Sequence, residues 1–381
     1  MFHLPEQFSQ FSEARQEGFL KVREVKENGG KVAGIFCTYT PVELLNAAGF
    51  TDVSLCGMSN ETIPDAEVHL PKNLCPLVKS SYGFAVSDKC PYTYFSDLIV
   101  GETTCDGKKK MYELLAQLKP TYILRLPQGF DRTAREMWRK EIKLFAQYLE
   151  EHFNLKLTDE ALREAVRMKN RERREKLRLL EMFKLCPPPV GGYELYKLLD
   201  GSGFLFNREE RITKLTDLRE SLEKAYAAGE CTVPKSAKRI LVTGCPIGGV
   251  LDKTVKLIEE SGGTVVCFEN CSGIKAAYQM VDEDAEDILD AIADRYLDIG
   301  CSVLTPNNVR AELLDKLVKE FNIEGVVEIN LQTCLTYIIE SHSVRKQMQE
   351  LNIPYICIET DYSESDSGQL STRIEAFLER L

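Results

Sequence analysis

Residues 96–127 read SDLIVGETTCDGKKKMYELLAQLKPTYILRLP. SDLIVGETTC is a short apolar run that ends in a polar turn carrying Cys105, the pattern of a buried strand. KKKMYELLAQL follows with helical spacing, and PTYILRLP is again strand-like. A strand, a helix and a strand in that order imply a crossover and a parallel pair.

The same rhythm extends in both directions. Upstream lie a helix from about Glu6 to Asn28, the strand KVAGIFC (31–37), and a helix opening at Pro41 in TPVELLNAAG. Proline stands in that helix's first turn and glycine at its end. TDVSLC (51–56) is a second strand, and NLCPLVKSSYGFAVS (73–87) is helical. Downstream the pattern changes. Residues 131–153 and 158–183 are long, charged and helically periodic, with Thr158 as an N-cap; PPPVGG breaks the run before a helix over about 208–228. The basic stretch Lys169–Arg178 has acidic neighbours and reads as a solvated face, not a nucleic-acid site. Alternation resumes at KRILVTGC (238–245), TVVCFENC (264–271), GVVEINLQTC (325–334) and PYICIET (354–360), with helices between and STRIEAFLERL last. The expectation is an α/β fold of two doubly wound parallel-sheet domains, 1–129 and 236–381, with a helical subdomain over 130–235. No strong internal repeat is visible.

Bulk properties exclude several classes. A formal net charge of −11 argues against nucleic acid or an anionic membrane surface as partner. No apolar run is long enough to cross a bilayer and the start, MFHLPEQFSQF, has no signal-peptide core, so a cytoplasmic protein is expected. The outlying figure is 13 cysteines. An odd count in a long chain without a leader argues against a disulfide framework, and no C-x-x-C pair points to zinc. Thiols that bind metal here would have to be gathered from distant segments.

Their positions are informative. Cys37, Cys56, Cys105, Cys245, Cys271 and Cys334 all fall at or just after the carboxyl end of an expected strand, where open α/β sheets bind ligands. Cys75 and Cys90 each precede proline and flank a helix. Cys267 and Cys357 lie inside strands and read as core, as do Cys186 and Cys231 in the helical region; Cys301 fits either role. A cysteine nucleophile would want a histidine base, and His342 beyond Cys334 is the one near a candidate. Lys108, Lys109 and Lys110 read first as a solvated helix end and second as charges that offset a metal cluster or help dock an electron donor. Glu102 and Asp106 are acid–base candidates that solvation explains equally well. The glycines of GCPIGG match neither a P-loop nor the dinucleotide fingerprint.

ETTCDGKKKMYELL, the longer NLCPLVKSSYGFAVSDKCPYTYF with its continuation, VTGCPIGGV, FENCSG and IPYICIETDYSESDSGQLSTRIEAF carry a resemblance nearly end to end. On them the chain resembles the 2-hydroxyacyl-CoA dehydratase D-component and benzoyl-CoA reductase family, in particular its double-cubane cluster branch. The resemblance implies two Rossmann-like domains with an iron–sulfur cluster between them. It carries Cys75, Cys105 and Cys334 over as ligands of a four-iron cubane. Cys90, Cys245 and Cys271 are implied as ligands of a second, with Cys301 as a replacement for one of them, giving 4Fe–4S or double-cubane 8Fe–9S. It also implies a reductase acting on a small-molecule substrate, fed by an ATP-dependent iron–sulfur activator protein, and a homodimer. Its alternatives are a component of a 2-hydroxyacyl-CoA dehydratase with one cubane and a non-catalytic electron carrier. Prolines after Cys75, Cys90 and Cys245 would fix the ligand backbone, and the glycines of GCPIGG would let N–H groups approach cluster sulfides.

Overall fold

The computed structural model describes residues 7–381; the expected helix start at Glu6 and the first residues of the first domain lie outside the described residues. Two four-stranded sheets form, each wholly parallel. The first contains β1 (Lys31–Ile35), β2 (Phe50–Ser54), β3 (Leu98–Glu102) and β4 (Thr121–Leu124), in the order β2-β1-β3-β4. The second contains β5 (Lys238–Gly244), β6 (Gly263–Phe268), β7 (Gly325–Leu331) and β8 (Tyr355–Thr360), in the order β6-β5-β7-β8. Strand order thus repeats where the sequence shows no repeat. The fold constrains which residues are buried and how they alternate, not which apolar residue occupies each place. β3, β6 and β7 are buried along their whole length, as helix-covered parallel strands must be.

Between the sheets run helices Arg132–Phe153, Asp159–Glu181, Gly192–Ser202 and Arg208–Ala227. Asp131, Thr158 and Asn207 cap three of them by accepting the N–H of Ala134, Ala161 and Glu210. Helix Gly192–Ser202 was not expected. Gly191 and Gly192 conceal it from the sequence, because a Cβ at Gly192 would lie 2.2 Å from the Val265 carbonyl oxygen, so close packing on β6 demands glycine.

The stretch Lys169–Arg178 corrects the expectation of a solvated face. Arg171, Arg174 and Arg178 do reach solvent, but Asn170, Glu172 and Arg173 are buried. Glu172 takes ion pairs from Arg208 at 2.7 Å, Arg211 at 3.1 Å and Lys169 at 3.0 Å. Arg173 reaches Glu43 at 2.7 Å, and Tyr296 donates its hydroxyl to the same carboxylate at 2.7 Å. Burial works to raise the Glu43 pKa, but Arg173, Arg295 and Tyr296 outweigh it and hold the carboxyl below its usual range. Glu43 follows β1, Arg173 belongs to the central helices and Tyr296 to helix Ile288–Leu297 of the second half. One buried contact therefore ties all three parts.

Arg173→Met is expected to lower stability by about 3–5 kcal/mol, because it strands a buried carboxylate. A second change, Glu43→Gln, is expected to recover much of that loss. Urea unfolding midpoints of the three variants check this; equal midpoints for wild type and Arg173→Met would refute it.

Candidate functional site

In each sheet the strand order reverses at the first strand, so the crevice opens beside β1/β3 and β5/β7 at their carboxyl ends. Cys37 follows β1 and Cys105 follows β3; Cys245 follows β5 and Cys334 follows β7. Cys56 and Cys271 leave the adjoining strands β2 and β6. The sheets present these edges to one another. Gly248 and Gly249 make the approach possible: a Cβ on Gly248 would meet the Met58 sulfur at 2.1 Å, and one on Gly249 the Met58 carbonyl oxygen at 2.6 Å. The glycines of GCPIGG thus serve contact between the halves, the structural reason for their place in the sequence.

All 13 cysteines are free thiols. Their mutual influence sorts those in the cleft into two groups. In the first, Cys75 feels Cys334 and Cys105, and Cys334 feels Cys245. Cys245 is fixed by its backbone surroundings: its sulfur accepts the Leu331 N–H at 3.0 Å and lies 3.3 Å from the Ile329 carbonyl oxygen. In the second group, Cys37 feels Cys271 and Cys301, and Cys56 feels Cys271. Tyr362, buried beside Cys75, Cys245 and Cys56, stands between the groups.

The first trio expected from the sequence is therefore brought together, with Cys245 added. The second is dispersed: Cys245 joins the first group and Cys271 the second. Cys90 caps the short helix Pro91–Phe95, its sulfur accepting the Thr93 N–H at 3.4 Å, and is absent from the neighbours that perturb the other thiols. Cys37 and Cys56, strand-end cysteines outside both expected trios, and Cys301, the expected replacement, fall in the second group. Cys267 is buried within β6 and Cys186 is exposed. His342 lines an open surface groove with Asn307 and Glu340, not the cleft.

Burial pushes the Cys75 thiol up to about 12, with Cys334 and Cys105 adding to it and the N–H groups of Val78 and Leu77 opposing it. Cys75, Cys105 and Cys334 are each the N-cap of a helix, namely Pro76–Val86, Asp106–Leu115 and Leu335–Glu350. The first N–H groups of the helices after Cys75 and Cys334 oppose the upward shift of those two thiols without reversing it. Burial likewise raises Cys37, Cys56 and Cys301, with Lys108 pulling the first two down and Lys275 the third. Among the described residues no three His, Cys, Asp or Glu side chains are disposed to hold a single metal ion.

Glu102, at the end of β3, is fully buried and accepts a hydrogen bond from Thr40. Burial pushes its pKa up to about 7, against the pull of Lys108 and Thr40. Asp106, the other acid–base candidate, is exposed and paired with Lys109 at 2.7 Å.

Two like-ordered parallel sheets that face each other across buried thiols define a two-lobed Rossmann-like protein with a thiol-lined cleft. Comparison with known proteins gives the family. The model of the family described as 2-hydroxyglutaryl-CoA dehydratase, D-component, matches residues 37–381. YjiM of Escherichia coli (strain K12), provisionally named as part of a dehydratase, is 49% identical over 380 residues, covering 99% of this chain and 98% of its own. The beta chain of the (R)-phenyllactyl-CoA dehydratase of Clostridium sporogenes is 23% identical over 94% of both chains. A component of the benzoyl-CoA reductase of Thauera aromatica is 24% identical, over 93% of this chain and 89% of its own. The chain belongs to the 2-hydroxyglutaryl-CoA dehydratase D-component family and is an enzyme of that dehydratase and reductase kind. Among the described residues no helix is long and apolar enough to cross a membrane.

A carboxyl raised from about 4.5 to about 7 is better protonated when folded, so its ionisation costs stability progressively as pH rises through that window. Glu102→Gln removes the cost. The variant's stability relative to wild type is expected to grow by about 3 kcal/mol between pH 4.5 and pH 8. Denaturant unfolding of the reduced apoproteins at both ends of the range tests it; a difference that does not change with pH would refute it.

Proposed function

We propose that this chain carries an iron–sulfur cluster, 4Fe–4S or double-cubane 8Fe–9S, between its sheets and acts as a reductase component. It would take single low-potential electrons from an ATP-dependent iron–sulfur activator and deliver them to a small substrate. The observation that carries this reading is the convergence of unbridged, mostly half-buried thiols from the carboxyl edges of both sheets. Soft sulfur donors suit iron. A single ion with metal–sulfur bonds of about 2.3 Å needs its sulfurs within about 4 Å of one another, whereas a polynuclear cluster shares its ligands among several metal atoms.

Cys75, Cys105 and Cys334, with Cys245 beside them, would hold one cubane. Cys37, Cys56, Cys271 and Cys301 are the thiols at hand for a second, in place of the set that includes Cys90. Bound there, the cluster supplies one-electron transfer at low potential. The chain's own residues do the rest. Helices that begin at Cys75, Cys105 and Cys334 fix the backbone from which those three sulfurs would hold it.

A cavity of about 210 Å³ is lined by Leu74, Pro76 and Thr333, the chain neighbours of Cys75 and Cys334, together with Glu67, Lys79 and Asp361. It is smaller than the roughly 300–1,000 Å³ of drug-sized ligand sites, and its lining mixes charged and apolar side chains, which supports a small substrate. The similarity to the beta chain of an (R)-phenyllactyl-CoA dehydratase supports the second reading, a dehydratase component with one cubane in an enzyme of several different chains. For the reductase reading the assembly is a homodimer.

Anaerobically purified protein is expected to hold about eight irons per chain with matching sulfide. About four, with turnover of a 2-hydroxyacyl-CoA and no net use of reductant, would favour the dehydratase; no iron would sink both. Cys75→Ser and Cys334→Ser are expected to lose at least half the iron, and Cys186→Ser none.

A further inference from the structure

The lysine run after Cys105 divides on folding. Lys109 turns to Asp106 at 2.7 Å and Lys110 to Glu113 at 2.5 Å, both on the exposed side of helix Asp106–Leu115. Lys108 turns inward, against the expectation of a solvated helix end. Its Nζ donates to the Phe36 carbonyl oxygen at 3.2 Å, and the Cys56 thiol donates to the same oxygen at 3.1 Å. Its charge acts on Cys37 and Cys56 of the first sheet and on Cys334 of the second. It is thus the cation shared by both thiol groups.

Its charge is also unspent. Other inward-facing lysines are ion-paired: Lys79 with Glu67 at 2.9 Å, Lys253 with Asp366 at 2.7 Å and Lys275 with Glu269 at 2.6 Å. Among the described residues Lys108 makes no ion pair with a carboxylate, and its acidic neighbour Glu102 is bonded to Thr40. A half-buried ammonium that faces thiols and has no carboxylate partner costs stability, so its retention points to a negative guest.

We infer that Lys108 is the positioning residue that sets the reduction potential of whatever thiolate-held group the cleft contains. The inference rests on the cluster reading above. Each added electron makes such a group more negative, and a fixed positive charge in a medium of low dielectric stabilises the reduced state and raises the potential. Lys109, solvated and paired with Asp106, is screened and contributes little.

The test compares wild type with Lys108→Met, Lys108→Arg and Lys109→Met, all reconstituted anaerobically with iron and sulfide. Iron content is measured first, then the midpoint potential by EPR-monitored titration with dithionite. Lys108→Met is expected to keep its iron and titrate at a clearly more negative potential, while Lys108→Arg and Lys109→Met stay at the wild-type value. An unshifted Lys108→Met, or an equal shift in Lys109→Met, overturns the inference. If Lys108→Met loses iron, the charge-retaining Lys108→Arg decides: iron at the wild-type potential supports the inference, and a shifted potential overturns it. Wild type that takes up no iron would instead defeat the cluster reading itself.

Discussion

The relative placement of the two sheets depends on one buried contact, the Glu43 carboxylate held by Arg173 and the Tyr296 hydroxyl. Each partner comes from a different part of the chain, and none is solvated. Hydrophobic packing alone is tolerant of sliding, because apolar surfaces gain nearly as much in neighbouring registers. A buried charge pair is not tolerant: displaced by an ångström or two it loses its partner while keeping the full desolvation cost. Surface pairs such as Arg139–Asp294 at 2.5 Å and Arg135–Asp298 at 2.7 Å follow the same seam but add little by themselves. Glu43 and Arg173 therefore act mainly as a specification of geometry.

That geometry matters because the thiols come from both sides of the seam. Cys75 and Cys105 belong to the first half and Cys245 and Cys334 to the second, yet they perturb one another. The same is true of Cys37 with Cys271 and Cys301. Met58 seated on Gly248 and Gly249 sets how closely the edges approach. A larger residue at either glycine would hold the sheets apart at the point where the sulfurs meet. Helix N-termini at three of the cysteines supply the polar environment that a buried sulfur otherwise lacks.

Much of this was legible in the sequence because it is local. Period and punctuation placed all eight strands, several of them three residues too long at the carboxyl end, and strand ends placed Cys37, Cys56, Cys105, Cys245, Cys271 and Cys334 on the two carboxyl edges. What the sequence concealed is tertiary. Nothing in DKCPY says that Cys90 spends its sulfur on the Thr93 N–H. Nothing in DIGCSVLTPN says that Cys301 lies against the Tyr337 hydroxyl at 4.0 Å. The basic stretch around Arg173 looked solvated because its acidic partner Glu43 is far away in the chain. In KKK, a one-residue step of 100° around the helix separates an inward lysine from an outward one, and only the helix's docking decides which is which.

The two halves share a strand order but not an electrostatic design. On the second side, Lys275 and Arg310 are buried among Glu269, Glu328 and Glu340, so cation and carboxylate neutralise one another within the lobe. Lys275 then reaches the Tyr337 hydroxyl at 3.4 Å, and that hydroxyl is the one that meets Cys301. The arrangement orients a polar group at the thiol, with the Lys275 ammonium behind it already paired to Glu269. On the first side the order is reversed: Glu102 is bonded to Thr40, and Lys108 faces the sulfurs with its charge unpaired. Rigid, compensated polarity on one wall and free positive charge on the other is what a cleft requires if its contents are anionic and must accept further negative charge without moving the walls.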